Sequence, residues 1–432
     1  MLSLVAGVLF VALLAGTEAF FTLLSVLNLR HQERTVEAER EWVVEELGID
    51  DPERALAYER VSTGVGTLQS WVTLGVLLLV LFSGVFGEVA ATLTGLDSAL
   101  LETAVFVGGV VLVARLVGVP FDLVKTFVVE EVYGFNERSL GLWLRDWLLQ
   151  TVVSTALVVP LGVAVVWFVT TVPVWPAAAW ALAVGTIIAF TVLKPRVIDP
   201  LFYDFEPLGD GDLKTAVDEV FDAAGYRTEQ VYEMNASTRT GHSNAYFVGF
   251  GPAKRVVLYD TLVDGMDTAA IQSVLAHELA HWREGHIWKF VGFAALRLAV
   301  VFVALGALVA SGVVYLPVAA PQTPYVGLFL GALVLAPLNR LTSPLENYVS
   351  LQYERDADAY AVEVTDGAAM ARALSTLAAD NLSVPFPHPW YETFHYDHPP
   401  IPERIRRVRD LADRSADGQS DRPPGSDPST GD

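Results

Sequence analysis

Seven stretches of the chain, near residues 2–28, 66–89, 101–125, 148–171, 176–193, 287–315 and 324–345, are apolar with their charges mostly at the ends. A helix crossing the hydrocarbon core needs about 20 apolar residues, so each stretch reads as a membrane span, the fifth being the shortest. Residues 194–286 break this pattern with mixed periodicity and dense charge, and they predict a folded α+β lobe. Within it Leu213, Val217, Val220, Phe221 and Ala224 recur at helical spacing, marking an amphipathic helix that ends near Gly225. Residues 230–234, 245–250 and 255–259 predict strands, with Gly251-Pro252 turning between the last two. Asp267 or Thr268 can cap the next helix, whose Ile271, Val274 and Leu275 form a buried stripe. Beyond the seventh span, a helix near 346–364 carries an acidic cluster, and a Pro- and aromatic-rich segment covers 384–402. The fold class is therefore mostly α. Spans one to five occupy 1–193, the lobe 194–286, spans six and seven 287–350, a further helical segment 351–412, and an acidic tail without apolar anchors, expected to be disordered, 413–432.

Charge adds an orientation. Arg30, Arg34, Arg40, Arg54 and Arg60 fill the first connection and Arg138 and Arg145 the third, whereas residues 90–100, 172–175 and 316–323 contain no cation. Lys and Arg in short loops favour the cytoplasmic side, which puts the N-terminal end of the first span outside and the lobe and C-terminal segment inside. The first span lacks a basic flank before its apolar run, so it reads as a retained helix rather than a signal peptide. Composition agrees with a multi-pass cell-membrane protein: 53% of residues are hydrophobic, 18% charged, and mean hydropathy is +0.42. The formal charge of −22 argues against a nucleic-acid partner and leaves the lipid bilayer as the expected surroundings. Only five of the 28 basic residues are lysine, the balance expected of a solvent face hydrated in concentrated salt, hence a halophilic source. With no cysteine, any metal must be held by His and carboxylates.

The strongest chemical signal is His277-Glu278-Leu279-Ala280-His281. On a helix the two histidines lie one turn apart on one face, where both imidazoles reach a single zinc ion. Glu278 sits about 100° round the helix from His277, placed to take a proton from water rather than to ligate. A hydrolytic zinc site needs a third ligand. His286, nine residues after His277, falls on the opposite side of an ideal helix and reads as solvated or interfacial. In Tyr353-Glu354-Arg355-Asp356-Ala357-Asp358, residues Glu354 and Asp358 share a helix face while Asp356 points elsewhere. Glu354 can then ligate, with Asp358 orienting an imidazole, although a solvated acidic face paired with Arg355 would show the same spacing. Arg115, Arg297 and Arg340 lie in or near apolar spans and are expected to face protein or water rather than lipid.

Together with HELAHW at 277–282, the segments EEVYGFN at 130–136, KPRVIDPLFYDFEPL at 194–208, HSNAYFVGF at 242–250, RVVLYDTL at 255–262, YERDADAYA at 353–361 and HPPIPERIRRV at 398–408 resemble the type I CAAX prenyl protease family. That resemblance runs nearly end to end. It implies an integral-membrane zinc metalloendopeptidase, with seven transmembrane helices around an intramembrane chamber and one zinc at the cytoplasmic end. It implies Glu354 as the third ligand, His398 as an oxyanion-stabilising donor, Asn244 as a substrate contact beside an edge strand, and Arg404 near the site, pairing with a carboxylate such as Glu354 or contacting substrate. The chain departs from the family at Leu351, where many members have an arginine three residues before the ligand glutamate. Any salt bridge of that arginine would fall to Arg340 or Arg355.

The function expected is hydrolysis of peptide bonds by metal-activated water. The reference reaction of the resembled family is removal of three C-terminal residues after a prenylated cysteine, and the implied partners are peptide or protein substrates, prenylated or membrane-associated. Quality control of membrane proteins is the alternative for the same chemistry. A retinal-binding or transport bundle is disfavoured because no lysine follows Lys289, and a catalytically silent scaffold is disfavoured because Glu278 is present.

Overall fold

The computed structural model describes residues 1–223, 225, 231–248 and 255–420. Among them, seven helices are long and apolar enough to cross a membrane: Leu2–Ala38, Pro52–Phe82, Ala99–Tyr133, Leu140–Thr171, Trp175–Leu201, His286–Ser311 and Pro324–Leu341. Five of these bury only 6% of their apolar window inside the protein, against 28% for the first and 33% for the seventh. Apolar surface left so bare requires a non-aqueous surround, which is how a lipid-embedded helix differs from a core helix.

Two details of the spans escape periodicity. The apolar run expected at 66–89 is broken, because the second span ends at Phe82 and Gly84, with φ 94°, starts a separate helix at Val85–Leu93. Only glycine takes such a backbone cheaply. The third and fifth spans each close in a π-helical turn, Lys125–Glu130 and Lys194–Ile198. Such turns are rare and frequent at functional sites.

The lobe combines the helix Asp212–Ala223 with a four-stranded sheet of order β1 (Phe205–Pro207), β2 (Val231–Met234), β4 (Arg255–Tyr259), β3 (Ala245–Val248). β1 and β2 pair antiparallel, β2 and β4 parallel, and β3 and β4 antiparallel, with Ala245 opposite Leu258. Among the described residues β3 thus has one free edge. Residue 230 and the end of the expected 245–250 strand lie outside the described residues, as does the Gly251-Pro252 turn. Val217, Val220, Phe221, Leu258, Leu275 and Met370 share one core that also takes in Ile405 and Val408 from the last helix, Ile401–Ser420. Residues 413–420, expected in the tail, continue that helix, and 421–432 lie outside the described residues.

Candidate metal centre and active site

Helix Thr268–Arg283 carries the His277–His281 motif, and its first turn is fixed by Asp267, whose Oδ1 accepts from the Ala270 N–H at 2.9 Å. Nine of its sixteen residues are buried, the expected Ile271, Val274 and Leu275 among them. It packs against Ser343–Val364 through small side chains: Ala280 and Ala357 are buried together beside Tyr360. Small residues at that crossing let the helix axes approach closely, so a glutamate on one helix reaches histidines on the other.

Three donors meet there. His277 Nε2 and His281 Nε2 are 3.3 Å apart, Glu354 Oε2 is 3.2 Å from His277 Nε2, and Glu354 Oε1 is 3.3 Å from His281 Nε2. Tetrahedral zinc bonds of about 2.0–2.2 Å set ligand atoms roughly 3.3–3.6 Å apart, so the spacing fits a metal held by these three side chains. Glu354 Oε2, buried and without a hydrogen-bond partner, fits as well: an orphaned carboxylate oxygen there has an ion as its natural partner. Among the described residues this trio forms a group able to hold a metal ion.

The imidazoles are held from behind. His277 Nδ1 lies 2.9 Å from Asp358 Oδ1, and donation of Nδ1–H to that fully buried carboxylate leaves the Nε2 lone pair aimed at the metal position. Asp358 is itself gripped by Arg404, through Nη2 at 2.7 Å and Nε at 3.0 Å. Arg404 therefore pairs with Asp358 rather than Glu354, and its Nη2 also comes within 3.3 Å of His277 Nδ1. Burial penalises the Asp358 carboxylate, but the Arg404 guanidinium outweighs it and brings the pKa down to about 2. Burial likewise opposes charge on His277, and the Asp358 and Glu354 carboxylates overcome it, pushing its pKa up to about 9. Glu354 is held well below the usual carboxylate range by the two histidines, against its burial.

Of the two expectations for His286, solvated or interfacial, the first does not hold: it is buried between helices, with its Nδ1 3.0 Å from His281 Nδ1 and its ring stacked on Tyr353 at 4.1 Å. Helical spacing misplaces it because the motif helix stops: Gly285, at φ 66°, turns the chain and His286 opens the sixth span. The signal available in the sequence was Gly285 itself, a left-handed cap shortly after the last motif residue.

The other expected site residues gather on one side. A cavity of about 160 Å³ is lined by Glu278, His398, Asn244 and Arg404 together with apolar Leu262 and Leu374. His398 is half-exposed, its Nε2 3.4 Å from Glu354 Oε1 and its Nδ1 2.8 Å from Asp397 Oδ1. Burial disfavours its charged form, but Asp397 and Glu354 prevail and raise its pKa. Asn244 is exposed and immediately precedes the free-edged strand β3; its carbonyl accepts from the Tyr259 N–H at 3.1 Å. The three intramembrane arginines face protein groups: Arg115 the Thr151 hydroxyl and Gln150, Arg297 Glu346, and Arg340 Glu18. The two arginines that could take over a salt bridge of an arginine at 351 are paired elsewhere, Arg355 with Glu403 and Arg340 with Glu18.

Comparison with known proteins matches both halves of this architecture. Residues 31–204 match the CAAX prenyl protease N-terminal family, described as five membrane helices, and residues 207–412 match peptidase family M48. A CAAX prenyl protease 1 homolog from Arabidopsis thaliana is 32% identical over 389 residues, covering 84% of this chain and 88% of the relative. CAAX prenyl protease 1 of Saccharomyces cerevisiae is 31% identical over 328 residues, covering 71% of this chain and 72% of the relative. The crystal structure of S. mikatae Ste24p superposes with a TM-score of 0.85 at 25% identity, over 93% of this chain and 99% of that one. With a His-His-Glu metal site beside seven apolar helices, the chain belongs to the CAAX prenyl protease 1 family of M48 metallopeptidases.

Proposed function

We propose that this protein cleaves peptide substrates bearing a prenylated cysteine near the C-terminus, on the cytoplasmic side of the membrane, using one zinc ion per chain. The observation that supports this best is the set of three mutually facing donors, 3.2–3.3 Å apart, one of which, His277, lines the same cavity as Glu278 and His398. His277, His281 and Glu354 hold the metal. Bound zinc supplies Lewis acidity and brings the pKa of water it holds to about 7. Glu278 takes the proton of the attacking water and returns it to the leaving amine nitrogen. His398, kept in its donating form by Asp397, aims an N–H at the oxyanion, a contact whose removal from comparable sites costs about 2.7–4 kcal/mol. Asp358 and Arg404 orient His277. Asn244 and the free edge of β3 take the substrate backbone as an added strand.

The arginine-rich first and third connections favour the cytoplasm for the lobe. The Lys-poor, strongly acidic composition favours a salt-rich one, for which the melting temperature should rise with molar KCl.

The deciding experiment compares purified, metal-quantified wild type and Glu278→Gln on matched farnesylated and unprenylated CAAX peptides and an unfolded membrane protein. Cleavage by wild type alone, next to the farnesyl cysteine, is expected. Indiscriminate cleavage of all three would overturn the prenyl assignment in favour of quality control, and equal activity in both proteins would overturn the assignment of Glu278.

A further inference from the structure

The chain leading into β3 is stitched to the cytoplasmic ends of the membrane helices before it reaches Asn244. Arg239 makes a buried ion pair with Asp146 of the fourth span, Nε to Oδ2 at 2.9 Å and Nη2 to Oδ1 at 3.3 Å. Thr240 bridges to Asn136, and the Gly241 N–H donates to the Phe135 carbonyl at 3.2 Å. His242 comes next, and one face and both nitrogens of its ring are used. The ring stacks on Phe135 at 4.1 Å, Nδ1 lies 2.8 Å from Asn381 Oδ1, and Nε2 faces Glu130 Oε2 at 3.5 Å. Glu130 closes the π-helical turn of the third span, and its two oxygens accept from the Tyr58 hydroxyl at 3.1 and 3.2 Å. The His242 carbonyl accepts from the Thr261 hydroxyl at 2.9 Å, which ties the same residue to the segment following β4. Two residues later Asn244 lines the cavity beside Glu278.

A π turn shifts every following side chain round the helix axis relative to an α-helix, and here the shifted group is a carboxylate directed at a histidine of another unit. No step of hydrolysis uses Glu130 or His242. We propose that they are positioning residues: the Glu130–His242 contact, backed by Tyr58 and Phe135, fixes residues 242–244 so that Asn244 and the edge of β3 meet the peptide backbone next to Glu278. This rests on the peptidase reading above. It makes the membrane unit a partner in substrate alignment, since the third span sets where the substrate-binding edge lies.

The test uses the full chain in detergent and the farnesylated peptide, with His242→Ala, His242→Gln, Glu130→Gln and the double variant His242→Ala/Glu130→Gln. Loss of a contact to a charged group predicts a KM about tenfold higher for His242→Ala. The turnover number, metal content and melting temperature should change far less. His242→Gln, which keeps a polar group facing Glu130, should recover most of the loss, and the double variant should be no worse than the poorer single one. Amide hydrogen exchange at residues 243–246 should accelerate in His242→Ala and not in His242→Gln. Unchanged KM, or loss of turnover and metal together in both His242 variants, would overturn the proposal. If wild type cleaves no peptide, the peptidase reading fails by itself and exchange decides: faster exchange in His242→Ala alone supports positioning, and unchanged exchange overturns it.

Discussion

The helix carrying His277 and the span that follows it after Glu284 and Gly285 obey opposite rules. In Thr268–Arg283 nine residues are buried, every ligand is gripped from behind, and the packing partner is protein. In His286–Ser311 the apolar window is 6% buried and Leu296, Val300 and Val303 stand at least 64% exposed. The same residue types thus serve two solvents. Where chemistry is done, apolar groups fix positions by close packing; where the helix meets lipid they need only be apolar. The difference teaches that substitutions should be costly on one side of Gly285 and cheap on the other.

The hardest blow to the buried side is Glu354→Ala. It removes the only carboxylate of the donor trio, so metal content and peptidase activity should both fall to background. The seven spans should keep their helicity, since Glu354 lies on Ser343–Val364, outside them. Metal analysis beside circular dichroism checks this, and a fully active, metal-replete variant would dismiss the site.

Leu275→Ala against Leu296→Ala measures the contrast itself. Leu275 is fully buried, and its truncation should cost about 2–5 kcal/mol. Leu296 is 67% exposed, and its truncation should stay within about 0.5 kcal/mol. Denaturation in one detergent compares the pair, and equal losses would break the comparison.

Acidity probes the gripped ligands. In metal-free protein the pKa of His277 is raised from its ordinary 6.5 to about 9. A raised folded-state pKa contributes stability that is fully present below pH 6.5 and lost as pH rises through about 9. Glu354 and Asp358 are shifted downward, so their contributions change only in acid, outside that window. Chelated protein should therefore lose melting temperature between pH 6.5 and 9. Metal-loaded protein should lose much less, because the metal has already displaced the proton. Calorimetry of metal uptake at pH 7 in two buffers should register release of about one proton.

Asp358→Asn should weaken metal binding or activity by about 10–100-fold, the usual effect of removing a carboxylate behind a metal-bound imidazole. Arg404 loses its counter-charge in the same variant, so Asp358→Asn combined with Arg404→Leu should be milder than the two losses added.

What was legible in the sequence follows the range of the interaction. Seven spans are set by local apolar length, and His277, His281 and Glu354 by one-turn helical spacing together with family resemblance. Asp267 as the cap is equally local. The short strand β1 was missed because three residues ending in Pro207 show no alternation, and it exists only through pairing with β2. The partner of Arg404 was left open because its distance from Asp358, 46 residues along the chain, is settled by packing. The contact between Glu130 and His242 depends on a π turn and a loop from another unit, neither of which leaves a periodic trace.

A smaller effect than that of Leu275→Ala is expected at the junction between the two helices. Gly285 has φ 66°, and a β-carbon there would meet no atom within 4 Å, so the cost of adding one is backbone conformation and not collision. For an L-residue the left-handed region costs about 1–2 kcal/mol. Gly285→Ala should lower stability by that amount, and Gly285→Asn by less, since asparagine tolerates this conformation. If relaxing the turn moves His286 away from His281 Nδ1, metal affinity should fall in step with stability across the two variants. Equal stability of Gly285→Ala and wild type would refute the account of the turn; a stability loss with metal affinity unchanged would show that His281 keeps its orientation without His286, narrowing the gripped part of the site to His277 and its Asp358–Arg404 support.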